Sequence, residues 1–188
     1  MTMLTTQITT SRLQLRVLNP EDAPLLQAYL IKNRLHLAAW EPVRDDSFFT
    51  LEQCRQRLIS SCLNIEAGQS LALAVFLQNS PQLIGTCNFS NIVRGVFQAC
   101  HLGYAIDAEA EGKGYMLEAV QAGIQHMFQQ QGLHRIMANH VPENIRSAAL
   151  LQRLDFAREG LAKSYLKING VWRDHVLNSL VNVDDTGG

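Results

Sequence analysis

A change of period between residues 99 and 131 limits this chain more than any other feature. Ala99 to Ile106 is an apolar run with strand character, whereas from Tyr115 to Gln131 the apolar positions Met116, Val120, Ile124, Met127 and Phe128 form one broad helical stripe. Gly132 stands where a left-handed cap would end that helix, and residues 133–140 return to strand character. Strand, long helix and strand give one parallel neighbour pair through a right-handed crossover. The join between first strand and helix reads Glu111-Gly112-Lys113-Gly114. A helix start leaves backbone N–H groups unpaired and carries partial positive charge, so an anion can lodge there. Glycine lets that backbone approach a phosphate with no Cβ in the way. The two glycines alone suit a tight turn before a core helix equally well, because neither G-x-x-x-x-G-K-[ST] nor G-x-G-x-x-G is present.

The flanking chain supplies the rest of a sheet. Leu13, Leu15 and Val17 alternate with Arg12, Gln14 and Arg16, a half-buried strand. Asn19-Pro20-Glu21-Asp22 starts a helix reaching about residue 35, with Asn19 as cap and Pro20 at the first position. Trp40-Glu41-Pro42 opens a loop, and Thr50 caps a second helix that ends near Gly68. Strands follow at about 71–77, 83–90 and 98–107, then the crossover, then a short helix from Asn144 with Ala148, Leu151 and Leu154 inward. Two last strands, about 156–168 and 171–181, meet at Asn169-Gly170, the strongest short hairpin signal in the chain. The fold class is therefore α+β: a single domain over residues 1–188, ordered from about 8 to 182, with a frayed tail at 183–188. Its sheet is mixed and mostly antiparallel, flanked by helices.

Composition excludes several classes. A chain of 188 residues with 47% hydrophobic and 18% charged content builds one sizeable core. A net charge of −1 without a long basic run argues against direct nucleic-acid binding. No apolar run approaches the roughly 20 residues of a membrane span, and Met1–Thr10 lacks signal-peptide character. Cys54, Cys62, Cys87 and Cys100 form no C-x-x-C pair, which reads as reduced thiols in a cytoplasmic protein without a metal site. His101, His134 and His175 lie in strand segments and read as structural.

A second segment, Asn139-His140-Val141-Pro142-Glu143-Asn144-Ile145-Arg146-Ser147, adds chemistry to the crossover. Asn144 and Ser147 share one helix face, and Ser147 lies a turn inside the helix, past the positions that need a cap. Together with the element order, and with Leu102-Gly103-Tyr104, Gly112-Lys113-Gly114, His134-Arg135-Ile136-Met137-Ala138-Asn139 and Asn169-Gly170-Val171-Trp172-Arg173-Asp174-His175, this segment resembles the GNAT family of acetyl-CoA-dependent N-acetyltransferases. Within it, the likeness is to the branch that acetylates the N-terminal alanine of ribosomal proteins.

The resemblance implies a co-substrate, acetyl-CoA, and a set of residues. Backbone amides of Gly112, Lys113, Gly114, Tyr115 and Met116 would hold the pyrophosphate. Ala105 and Ile106 would pair with the pantetheine arm as a pseudo-strand, and Asn144 and Ser147 would complete the coenzyme site. The family loop, Gln/Arg-x-x-Gly-x-Gly/Ala, departs here at Glu111 and Met116. A carboxylate at Glu111 would repel a phosphate, and Lys113 is the expected compensation. Many relatives protonate the leaving thiolate from a tyrosine at the place of Leu151, so Ser147 is the expected thiolate partner. Asn139 stands where better-known relatives carry a glutamate, and would orient a water. Glu41, His140, Glu109 and Asp174 are the nominal bases, while Trp40 and Glu41 would face the acceptor. The expected acceptor is the α-amine of a protein N-terminus, in particular an alanine-starting ribosomal protein, attacked directly in a ternary complex by a monomer or homodimer. The alternatives are a small amine (polyamine, aminoglycoside or amino acid), or a non-catalytic acetyl-CoA-binding or ribosome-associated module.

Overall fold

Alternation decides the entry into the sheet. Leu13 and Leu15 are fully buried while Gln14 and Arg16 are half-buried along Leu13–Arg16, as a two-residue side-chain period requires against one packed face. In the computed structural model, which describes residues 6–184, this strand is β2. It pairs antiparallel with β1 (Gln7–Thr9). The sequence reading has no strand before residue 12, because three mostly exposed residues carry too little pattern to register. The expected tail lies outside the described residues from 185 onward.

Pro20–Asp22 form a 3₁₀ turn rather than the first turn of the helix, and α1 runs Ala23–Leu37. The Asp22 carboxylate accepts from the Asn19 amide at 2.9 Å and pairs with Arg16 at 2.7 Å, so the acid closes this turn. The Thr50 hydroxyl accepts from the Gln53 amide at 3.3 Å and starts α2 (Leu51–Glu66). Then come β3 (Leu71–Leu77), β4 (Leu83–Val93), β5 (Ala99–Ile106), α3 (Tyr115–Gln129), β6 (Arg135–His140), α4 (Ile145–Arg153), β7 (Ala157–Ile168) and β8 (Val171–Val181). His134 falls in the bend before β6 rather than within a strand. Asp155, after α4, takes a left-handed φ of 60°, which an aspartate tolerates better than most residues.

The sheet has eight strands in the order β1-β2-β3-β4-β5-β6-β8-β7. Every pair is antiparallel except β5 with β6. α3 and α4 cover one face, where Met116, Val120, Met127 and Leu151 pack on Cys87, Phe89, Cys100 and Ile136. α1 and α2 cover the other, where Tyr29, Leu37, Cys54 and Leu58 meet Ala74, Phe76 and Leu83. All four cysteines are buried and free. Burial pushes the Cys87 and Cys100 thiols up to about 12, which suppresses thiolate chemistry at both. Among the described residues no helix is long and apolar enough to cross a membrane.

Two departures from regularity make the site. β5 and β6 pair only at Ala99–His101 with Arg135–Met137, after which the strands separate. Leu102 to Ile106 remain paired with β4 alone, so one edge of β5 is open inside the sheet. The second is a tie between the β1–β2 turn and the start of α3. Glu118, in the first turn of α3, accepts from Thr10 Oγ1 at 2.6 Å, Ser11 Oγ at 3.1 Å, the Arg12 amide at 3.0 Å and Arg12 Nε at 2.6 Å.

Burial alone would push the Glu118 carboxyl up, but these hydrogen bonds outweigh it and hold the group down at about 2, below its ordinary 4.5. A depressed folded-state value stabilises the protein above the unfolded pKa, and that stability is lost as pH falls from 4.5 toward 2. Thermal unfolding followed over this range is expected to show the midpoint falling more steeply in the parent than in Glu118→Gln. Parallel curves would show that the tie contributes nothing to acid stability.

Candidate active site

Where β5 and β6 part, a cavity of about 630 Å³ opens through the sheet, within the range typical of small-molecule sites. One wall is β5 itself, through Tyr104, Ala105 and Ile106. The Asp107 amide donates to the Ile84 carbonyl at 2.8 Å, and Ala105 is registered on Thr86. Alternation then turns the main-chain groups of Ala105 into the β4 ladder and those of Tyr104 and Ile106 toward the opening. Of the two expected pantetheine partners, Ile106 therefore offers its amide to the cavity and Ala105 contributes wall.

The second wall is the start of α3. Gly112 and Gly114 have φ of 72° and 77°, and Gly114 is the N-cap. The first bond of the helix runs from the Glu118 amide to the Gly114 carbonyl at 3.2 Å, so the amides of Tyr115, Met116 and Leu117 have no partner within the helix. Arg12 steadies the loop from outside, donating through Nη1 to the Lys113 carbonyl at 3.0 Å and stacking over the Tyr115 ring at 4.8 Å.

The charge balance at this end differs from expectation. Lys113 does not compensate Glu111: its Nζ folds back onto the Glu109 carbonyl at 2.7 Å, and it is not part of the cavity wall. Instead Arg146 of α4 binds the Glu111 carboxylate directly, and His36 Nε2 approaches it at 3.4 Å. Opposite charge from a distant helix offsets the repulsion that local sequence implied.

α4 forms the third wall. The Asn144 side-chain oxygen accepts from the Ser147 amide at 3.0 Å, capping the helix. The Ser147 hydroxyl lies 2.6 Å from the Tyr104 hydroxyl. Burial pushes Tyr104 up to about 12, and the Ser147 contact opposes it in part. Leu151, at the place of the relatives' tyrosine, is 2% exposed and belongs to the core.

From the opposite face of the sheet, Leu37, Trp40 and Glu41 reach the same cavity. Burial raises the Glu41 carboxyl above its ordinary range, while Arg44 and Arg57 counter it. The Tyr29 hydroxyl, which feels the Glu41 charge, is buried without a hydrogen-bond partner among the described residues. Of the nominal bases only Glu41 lines the cavity. Glu109 pairs with Lys32 at 2.7 Å, Asp174 with Lys163 at 2.8 Å, and His140 is buried against the Val141 carbonyl at 2.9 Å. Asn139 lies outside the wall, its amide donating to the Tyr165 hydroxyl at 3.3 Å. Among the described residues no three His, Cys, Asp or Glu side chains cluster as a metal site would require.

Residues 12–157 match the acetyltransferase (GNAT) domain family. The chain belongs to the GNAT acetyltransferase family. It is 45% identical to the [ribosomal protein uS5]-alanine N-acetyltransferase of Escherichia coli (strain K12), over 97% of this chain and 94% of that one. The crystal structure of the ribosomal-protein-S5-alanine acetyltransferase from Vibrio fischeri superposes with a TM-score of 0.90 at 42% identity, covering 95% and 98% of the two chains. Mycobacterium smegmatis RimJ in complex with CoA-disulfide superposes at 0.86 with 27% identity, covering 94% and 84%.

In this GNAT acetyltransferase the parted strands, the glycine loop and the N-terminus of α4 meet at one cavity. Sequence reasoning missed the Tyr104 hydroxyl, Arg146 and His36. Tyr104 offered one signal: strand period puts it on the same face as Leu102, toward α3 and α4. Which α4 side chain it meets depends on how far β5 and β6 diverge.

Proposed function

We propose that this acetyltransferase transfers the acetyl group of acetyl-CoA to the α-amine of a protein N-terminus, with the N-terminal alanine of ribosomal protein uS5 as acceptor. The observation that carries the reading is a passage through the sheet. Its α3–α4 side offers the amides at the start of α3 to a phosphate, with Arg146 neutralising Glu111 beside them, and its α1–α2 side offers Glu41 to an amine. Likeness to the Escherichia coli enzyme along nearly the whole of both chains supports uS5 as the acceptor.

Acetyl-CoA supplies a thioester at this site. The amides of Tyr115, Met116 and Leu117, with Gly112 and Gly114 leaving space, hold its diphosphate. Main-chain groups of Tyr104 and Ile106 pair with the pantetheine arm, and an N–H of the same edge receives negative charge developing on the carbonyl oxygen. Glu41 draws in the ammonium form of the acceptor, and its raised carboxyl can pass the proton to water. An α-amine with a pKa of about 8 is already partly neutral at pH 7, whereas lysine at about 10.4 is not. An acceptor side whose one carboxylate is the half-buried Glu41 suits the former. The cavity wall holds no cysteine, so attack is direct, without an acyl-enzyme. Ser147 stabilises the departing sulfur.

An alanine-starting peptide copied from uS5 is expected to release free thiol and gain one acetyl group at its N-terminus. The same peptide with a blocked α-amine and free lysines is expected to be inert. Turnover of polyamines, aminoglycosides or amino acids with none on the peptide would overturn the acceptor. Coenzyme binding without turnover on any amine would replace the enzyme by a binding module.

A further inference from the structure

The Ser147 hydroxyl can serve the leaving sulfur only if its own proton points into the cavity, and a serine inside a helix commonly spends that proton on a carbonyl one turn back. Here its partner is instead the Tyr104 hydroxyl at 2.6 Å, across the opening from α4 to β5. Both residues line the cavity. Resting on the reading of Ser147 given above, we propose that Tyr104 is a positioning residue for acetyl transfer: it donates its proton to Ser147 Oγ and so directs the serine's proton at the leaving sulfur.

The 2.6 Å contact fits either hydroxyl as donor; two properties of the phenol support this direction, and a bond to Asn144 fixes where the serine sits. A phenol is the stronger donor and an aliphatic hydroxyl the better acceptor. Burial keeps Tyr104 protonated throughout the working range, since its hydroxyl is pushed up to about 12. The Ser147 amide is fixed on Asn144 at 3.0 Å, which sets the side chain against β5. A hydroxyl that accepts one bond is polarised into a better donor of another. As the C–S bond breaks, its electron pair passes to sulfur. The carbon–nitrogen bond forms as the carbon–sulfur bond breaks, the nitrogen loses one proton to water, the thiolate held by the Ser147 hydroxyl takes one from water, and Ser147 and Tyr104 end the cycle as they began.

A double-mutant cycle tests the pair, read as kcat and as KM for acetyl-CoA on parent, Tyr104→Phe, Ser147→Ala and the double variant. Ser147→Ala is expected to lower kcat roughly 100-fold, and Tyr104→Phe roughly tenfold, as for one hydrogen bond. In the Ser147→Ala background the second substitution is expected to change kcat less than about twofold. KM for acetyl-CoA and the thermal midpoint should move little throughout. A Tyr104→Phe loss that persists without Ser147, or that appears in KM rather than kcat, would show Tyr104 to be wall only. An unchanged Ser147→Ala variant removes the serine from the mechanism and this inference with it. If only a small amine is turned over, the acceptor reading fails but the cycle is run on that amine, because the same sulfur leaves. If no amine is turned over, reading and inference fall together.

Discussion

Gly114→Val is expected to raise KM for acetyl-CoA roughly 10- to 100-fold, with kcat at saturation near the parent value. Gly114 holds a φ of 77° as the N-cap of α3, a region where a β-branched residue is a genuine outlier. Strain of this kind amounts to about 1–3 kcal/mol, and the chain can relieve it only by turning the peptide units beside it. Those units carry the Lys113 carbonyl that Arg12 holds at 3.0 Å and the free amides of Tyr115 to Leu117. A Cβ at Gly114 would stand 3.5 Å from Arg12 Nη2, an ordinary van der Waals contact, so the left-handed backbone rather than crowding carries the effect. Gly95 is the control. Its φ is 72° with nothing near a Cβ, and it is absent from the cavity wall, so Gly95→Val should strain the backbone equally and leave KM unchanged. Calorimetric titration with coenzyme A measures the affinity without any acceptor. Equal affinities for the Gly114→Val and Gly95→Val proteins would remove the phosphate role from this loop.

Phe89→Ala is expected to destabilise the protein by about 3–5 kcal/mol, the range for emptying a buried aromatic site. For a chain of this length that lowers the thermal midpoint by about 10 °C. Phe89 is fully buried on β4 beneath α3. Its ring lies so close to Gly123 that a Cβ there would stand 2.8 Å from it. The absence of a side chain at Gly123 is what lets α3 settle onto the sheet. Gly123→Ala alone should overpack the contact and cost about 1–3 kcal/mol. Combined with Phe89→Leu it should cost less than the sum of the two, because the smaller side chain vacates the space. Urea denaturation of the single and double variants reads the coupling. Strict additivity would mean that the ring and the glycine do not share a contact in solution.

The same helix shows how far the sequence could be read. Met116, Val120, Ile124 and Met127 are all buried along α3, as a 3.6-residue period against one sheet face dictates. Asn169-Gly170 takes φ values of 50° and 77°, the two positive angles that a tight hairpin between twisted strands requires. β1 was not legible, because its three residues are held by pairing with β2 rather than by any pattern of their own. Nor was the boundary of α1, since Pro20 suits a 3₁₀ turn as well as a helix start and the Asp22–Arg16 pair favours the turn.

Local chemistry written along the chain determined the order of elements, the crossover, the glycine loop and the cap at Asn144, because each depends on neighbours within a few positions. Tertiary structure alone decided which groups became partners. The parting of β5 from β6 opened the cavity and left main-chain edges of Tyr104 and Ile106 unpaired. Packing of α4 against that edge brought Ser147 to Tyr104 and Arg146 to Glu111. Contacts between residues far apart in sequence depend on strand divergence and helix position, quantities fixed by the packing of both sheet faces together, and no periodicity in the chain encodes them.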